Sequence, residues 1–263
     1  MRLPIPLTER VKIELGYLLA AFQLLTRLPV PQRGGFEPNW IGRGTAYFPI
    51  VGLVIGAICA AVLLASASIW PAPIPALLAV IAGAAATGAL HEDGLADTAD
   101  GLGGADTPDT CLEIMKDSRI GTYGTLALIF ATSLKVAALS ALNPLDGALA
   151  LILAHMSARV VPVLAASRMP YVGWKDRAKI GPITDQTPRR RALAVVLGIA
   201  PLLIVPLPVS LLALGLGTLA ATGVLSRARH VLNGITGDVL GASEQAFEVG
   251  VLLGLAGGSA LLG

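Results

Sequence analysis

The chain has 263 residues, a mean hydropathy of +0.74, 54% hydrophobic residues against 14% charged ones, and a net charge of +2. So apolar a composition excludes a soluble globular domain of this length and points to a polytopic membrane protein. No nucleic-acid partner is expected, and two cysteines, Cys59 in an apolar run and Cys111 in a polar one, make neither a disulfide framework nor a CxxC metal motif.

In chain order, the first 44 residues carry Arg2, Arg10, Lys12, Arg27, Arg33 and Arg43 and lack the short basic start and clean apolar core of a cleaved signal. The patch from Leu15 to Leu25 reads as an interfacial or half-buried helix. Apolar runs of about 20 residues, the length of a bilayer-crossing helix, follow near residues 45–70, 73–90, 121–143, 145–167, 192–206, 207–226 and 246–263. The run from Ala192 to Ser226 is too long for one crossing and is divided at Pro206 or Pro208. The expectation is an all-α polytopic bundle of about seven transmembrane helices plus an N-terminal interfacial helix, with residues 1–263 as a single integral membrane domain. Abundant Gly and Ala favour close helix packing, and Pro49, Pro162, Pro201, Pro206 and Pro208 predict breaks or kinks.

The connections alternate in character. Those at 71–72, 144 and near 206 are tight and nearly uncharged, whereas 1–44, 91–120, 168–191 and 227–245 are long and hold every Lys and Arg except Lys135 and Arg159. All the polar loops therefore fall on one side, which the positive-inside rule makes cytoplasmic. Within that face, 91–120 is acidic and 168–191 is basic, a pairing that suits a divalent metal and phosphates. The run Arg189 to Arg191 also serves as a topology anchor ahead of the next span.

The acidic loop opens with "HEDGLADTADG", residues 91–101. If the helix from Pro73 continues past His91, then Asp93, Asp97 and Asp100 lie at i, i+4 and i+7 on one face. Three carboxylates on one stripe repel one another, and a hard cation such as Mg²⁺ or Mn²⁺, completed by substrate phosphate oxygens, removes the repulsion. That spacing suggests phosphoryl or pyrophosphate chemistry without fixing the substrate. His91 and Glu92 are candidates for proton transfer, and Gly94, Gly101, Gly103 and Gly104 either let backbone amides approach a phosphate or end the helix.

Farther along, "MKDSRIGTYG" at 115–124 places Lys116 and Arg119 around Asp117, a phosphate clamp with a further acid. Near the C-terminus "NGITGDVLGASEQ" at 233–245 brings Asp238 and Glu244 to the same face. His155 and Arg159 sit one helical turn apart within a span, and a buried Arg there is a phosphate or carboxylate partner unless it forms a structural ion pair. Lys135 is a weaker candidate, and Glu248 reads as snorkelling to the boundary.

The segments "FQLLTRLPVP" (22–31), "YFPIVGLVIG" (47–56), "HEDGLADTADGLGG" (91–104), "LEIMKDSRIGTYG" (112–124) and "GITGDVLGASEQ" (234–245) together resemble the cobalamin synthase family, the adenosylcobinamide-GDP ribazoletransferases, over nearly the whole chain. Ala105 stands where another glycine is expected. The resemblance implies a single transferase domain in the cell (inner) membrane that joins adenosylcobinamide-GDP to α-ribazole or its 5′-phosphate, releases GMP and requires Mg²⁺. On that basis the metal ligands are expected among Asp93, Asp97, Asp100 and Asp117, with Glu92 a further acid. The base is one of Asp97 and His91, the phosphate contacts are Lys116, Arg119 and Arg159, and Asp238, Gly103 and Gly104 lie about the substrate. A homo-oligomer or an association with other enzymes of the pathway is compatible with it. The competing readings are a membrane prenyltransferase, which usually carries two aspartate-rich motifs where this chain has one strong one, and a cation transporter, which needs more polar spans.

Overall fold

The computed structural model describes residues 6–31, 40–173 and 186–262; within them every regular element is helical, apart from an isolated bridge between Tyr171 and Ile235. The helices are α1 (Leu7–Leu25), α2 (Trp40–Gly44), α3 (Phe48–Ala67), α4 (Ile74–Thr87), α5 (Leu90–Gly104), α6 (Pro108–Ile114), α7 (Thr122–Ser140), α8 (Pro144–Ala158), α9 (Val160–Ala166), α10 (Pro188–Ile199), α11 (Leu207–Leu232) and α12 (Gly237–Leu262). Prolines mark the starts: Pro49, Pro75, Pro108, Pro144, Pro188 and Pro208 all occupy first-turn positions, where the missing N–H costs nothing. Arg159 interrupts α8 and α9 three residues before Pro162, as the proline ring requires.

Among the described residues, five helices are long and apolar enough to cross a membrane: Trp40–Ala67, Thr122–Ser140, Pro144–Ala166, Leu207–Leu232 and Gly237–Ser259. The count becomes six if the bent pair Ile74–Thr87 and Leu90–Gly104 is one span, one fewer than the roughly seven expected. Residues 192–206 do not make one, because α10 has only 12 residues and gives way to a 3₁₀ turn over Ala200–Ile204; about 18 Å of helix falls short of a hydrocarbon core about 30 Å thick. The last span begins at Gly237, well before 246, because its first two turns are polar.

A second expectation fails at the acidic stretch. The helix from Pro73 does not run through His91; it ends at Gly88, and Gly88 and Ala89 both adopt left-handed backbone, at φ 68° and 55°. Two such residues in succession turn the chain by 91°, and α5 begins anew at Leu90. The left-handed region is open to glycine at no steric cost and is unfavourable for alanine, so the break is held by its surroundings: the Ala89 N–H bonds the Ala84 carbonyl at 2.7 Å and the Arg27 N–H bonds Ala86 at 2.8 Å.

The two most enclosed spans are Pro144–Ala166 and Gly237–Ser259, while α7 and α11 keep most of their surface outside the bundle. The polar connections gather at one end. The Ile235 N–H and carbonyl pair with Pro170 and Val172, and the Gly94 backbone packs on Asp238. The α1 helix lies half-buried against that end, tied by Tyr47 Oη donating to Glu14 at 2.7 Å and by Arg190 donating to Glu14 and to the Arg43 carbonyl, both at 2.7 Å.

The α11–α12 hairpin is closed by small residues. A Cβ on Gly250 would lie 2.6 Å from both the Gly217 nitrogen and the Leu216 carbonyl oxygen, so the two backbones touch as in other small-residue membrane interfaces. Gly250→Leu is therefore expected to lower stability by about 1–3 kcal/mol or more, an overpacking cost, measured as a drop in the melting temperature of the detergent-solubilised protein; Gly223→Leu, where nothing lies within 4 Å, should leave it unchanged.

Candidate functional site

Helix α5 carries four acids and a histidine in 15 residues, too polar to hold its place by burial alone. Two polar devices hold it. Asp100, near its C-terminal end, turns to α7 and accepts the Gly121 and Gly124 N–H groups at 2.7 and 2.8 Å, satisfying orphan donors at a helix N-terminus where the dipole favours a carboxylate. Arg227 of α11 donates to the Leu102 carbonyl at 3.1 Å. Asp100, expected as a metal ligand, thus has both oxygens engaged in capping α7.

The start of α5 meets α12. Glu244 is fully enclosed and lies 2.6 Å from His91 Nε2 through Oε2 while pairing with Arg159 through Oε1. One turn on, Glu248 takes Lys135 at 2.6 Å and His155 Nδ1 at 2.9 Å; the far side of the His155 ring contacts Cys59 Sγ at 3.6 Å. Gln245 accepts from Lys135 at 2.6 Å and reaches Glu92 at 3.3 Å. His155 and Arg159 are one turn apart and so are Glu248 and Glu244, so the antiparallel α8 and α12 match charge to charge. Within this set Glu244 meets Arg159 and Glu248 meets Lys135, the pairing that lets charge be tolerated inside an apolar bundle.

This network corrects two readings. Glu248 does not snorkel: it is 2% exposed and held by Lys135 and His155. Arg159 is an ion-pair partner of Glu244, buried at the break between α8 and α9, and does not itself line the cavity at the polar end.

That cavity, about 290 Å³, is lined by Gln23 to Arg27 at and just past the end of α1, by Leu90, His91 and Asp93 of α5, and by Asp238, Gly241 and Glu244 of α12, with Phe48, Pro162 and Leu240 as apolar walls. It unites two of the sequence motifs: Asp93 from "HEDG" and Asp238 from "TGDV" share one wall. Asp97 is partly buried one turn along α5, in the field of Asp93, Asp238 and Asp100. Gly94 lets the helices approach, since a Cβ there would fall 2.9 Å from the Asp238 carbonyl oxygen.

Other expected residues lie elsewhere. Asp117 and Arg119 close on each other at 2.5 Å on the exposed 115–121 turn, the guanidinium also donating through Nε. Those hydrogen bonds hold the Asp117 carboxyl down at about 2, so it stays ionised throughout the physiological range. Neither they nor exposed Lys116 line the cavity. Gly103 and Gly104 pack beneath Tyr123 and Ile114, which gives them a helix-contact role. Cys59 and Cys111 are buried and unpaired. Of the basic 168–191 loop, Lys175, Arg177 and Lys179 lie outside the described residues, as do Arg2 and Arg33.

No three acids, histidines or cysteines among the described residues converge as a preformed metal cage. Mg²⁺, however, is commonly held by one or two carboxylates with substrate phosphates and water completing its shell. Asp93 and Asp238 on one wall, with Asp97 beside them, fit that requirement.

The family model for cobalamin-5-phosphate synthase matches residues 17–256. The relative from Leptothrix cholodnii, an adenosylcobinamide-GDP ribazoletransferase, is 40% identical over 250 residues, which is 89% of this chain and 92% of the relative. Proteins of the same name from Shewanella pealeana and Azorhizobium caulinodans are 37% and 39% identical over 90% and 94% of this chain and 93% and 96% of their own length. No solved structure matches.

Removing the buried carboxylate while leaving its cations tests the network. Glu248→Ala strands Lys135 and His155 and should cost about 3–5 kcal/mol, as broken buried pairs do. Thermal unfolding in detergent measures it, and a change within error of wild type would show that these groups do not meet.

Proposed function

The chain belongs to the cobalamin-5-phosphate synthase family, and from that premise we propose how its cavity carries out the transfer that its relatives are named for. It is an enzyme, an adenosylcobinamide-GDP ribazoletransferase embedded in the membrane, and the prenyltransferase and transporter readings fall away. The reaction proposed is attack by a ribose hydroxyl of α-ribazole, or of its 5′-phosphate, on the cobinamide-side phosphorus of adenosylcobinamide-GDP. A new O–P bond forms, the bond to the bridging pyrophosphate oxygen breaks, and GMP leaves with that oxygen.

The observation that carries this reading is the meeting of Asp93 and Asp238 on one cavity wall beside His91. In phosphoryl transfer the protein mainly positions reactants and neutralises charge. Asp93, Asp97 and Asp238 would hold Mg²⁺, which when bound polarises phosphate oxygens and offsets charge on the departing GMP. The attacking hydroxyl needs an acceptor for its proton. His91 fits better than Asp97, because Glu244 lies 2.6 Å from its Nε2 and its Nδ1 has no partner among the described residues; a base held by a third group is the recurring arrangement. The proton passes to Nδ1. Leu24, Leu25, Phe48, Pro162 and Leu240 exclude water from one side of the reacting phosphate. A volume of about 290 Å³ admits the phosphate-bearing end of the substrate and leaves the bulky corrinoid outside. The polar end, with α5 and the 115–121 turn, is placed on the cytoplasmic side, following the distribution of positive charge.

The test is GMP release by purified protein given adenosylcobinamide-GDP, α-ribazole and Mg²⁺. Release should require both substrates, stop with EDTA, and fall roughly 100-fold or more in Asp97→Asn, the scale expected for losing a metal ligand or its close support. Turnover indifferent to EDTA and to that substitution would contradict the assignment.

A further inference from the structure

One cation faces the cavity with its head group bonded to none of the described residues. Arg27 follows the end of α1, where both the Thr26 N–H and its hydroxyl donate to the Phe22 carbonyl. The Arg27 backbone N–H then donates to Ala86 at 2.8 Å, docking the residue on the last turn of α4. Its side chain runs across Gly88: a Cβ at that position would lie 2.5 Å from Arg27 Nε, 2.7 Å from Cγ and 3.1 Å from Cδ. The left-handed glycine that bends α4 away from α5 therefore also leaves the channel in which the arginine stem rests. Alanine there would meet both the strained φ and the side chain.

From that seat Arg27 lines the same cavity as Asp93 and Asp238, and it is the only Lys or Arg that does so among the described residues. Its guanidinium makes no hydrogen bond or ion pair among them. A guanidinium and carboxylates in one cavity attract each other, yet Arg27 forms no ion pair with Asp93 or Asp238, so the cavity holds both signs of charge unmatched. A phosphate ester accompanied by a divalent cation satisfies both: phosphate oxygens accept from the planar guanidinium fork, and the cation meets the carboxylates.

We propose that Arg27 is a substrate-binding residue that grips non-bridging phosphate oxygens of the nucleoside-diphosphate-linked substrate in the cavity it shares with Asp93 and Asp238. This rests on the transferase reading above and adds to it a residue on the segment after α1. A bare topology anchor at the membrane boundary would carry the same charge but would have no effect on substrate affinity, which separates the two.

The experiment is equilibrium dialysis of adenosylcobinamide-GDP, followed by its corrinoid absorbance, against the full-length protein in detergent with Mg²⁺. Wild type, Arg27→Ala and Arg27→Lys are compared, with the melting temperature and the KM for α-ribazole recorded for each. Arg27→Ala should weaken binding of the conjugate roughly ten- to hundredfold, the scale of a lost charge-assisted contact, while the melting temperature and the α-ribazole KM stay at wild-type values. Arg27→Lys, which keeps the charge and loses the fork, should fall between. Unchanged affinity in Arg27→Ala, or a lowered melting temperature with equal losses for both substrates, would overturn the proposal. Wild-type protein that neither binds nor turns over the conjugate would overturn the reaction itself, an outcome distinct from any behaviour of the variants.

Discussion

Charge buried in an apolar bundle must be matched, and the rest of this structure depends on how α12 does so. Glu244 and Glu248 stand one turn apart on one of the two most enclosed spans, and between them they gather His91 from α5, Lys135 from α7, His155 from α8 and Arg159 from the α8–α9 break. An unpaired carboxylate at that depth would be untenable, so these contacts select one arrangement of four helices. The benefit is specificity of position more than net stability, since desolvation offsets much of the attraction. Through His91 the same network fixes the start of the most polar helix, and with it the direction of the Asp93 and Asp97 side chains.

The bend at Gly88 and Ala89 is the second constraint. A straight continuation of α4 would carry the acids past the end of the bundle, whereas a 91° turn lays α5 across the polar end, against α12 on one side and the α7 N-terminus on the other. Asp100 closes the far end of α5 by capping α7. The cavity is what is left between this crossing helix, the first turns of α12 and the segment after α1. Its acids come from positions 93 and 238, its cation from position 27 and its histidine from position 91, so it exists only in the folded bundle.

Much of this was legible in the sequence, for reasons that can be named. Hydropathy and length found the crossings at 45–70, 121–143, 145–167 and 207–226 because lipid thickness imposes a length on an apolar run. The stripe of Asp93, Asp97 and the pairing of that motif with Asp238 showed as carboxylates placed where carboxylates are costly. Other features left weaker traces. An alanine in left-handed backbone at position 89 has no signature, and Gly88 alone reads equally as an ordinary small residue in a span. Asp100 shares the spacing of its neighbours, and only the arrival of α7 shows that it is a cap. Glu248 near a span end looked like a snorkelling residue until Lys135 and His155 were found beside it; the matching one-turn spacing of His155 with Arg159 and of Glu244 with Glu248 was the signal that could have joined them. Arg27 was one of several positive charges near the N-terminus, and nothing short of the fold distinguishes it.

Glu244 and Arg159 are bound to each other inside the bundle and thereby hold the site. A double-mutant cycle with Glu244→Gln, Arg159→Met and the double variant, read by thermal unfolding of the detergent-solubilised protein, tests it most directly. Each single variant leaves a buried charge unmatched and should be strongly destabilised, whereas the double variant should be more stable than the sum of the two losses predicts, by at least about 1 kcal/mol of coupling. Strictly additive losses would contradict the claim, since they would mean that the two residues do not act on each other and that α12 is held by something else.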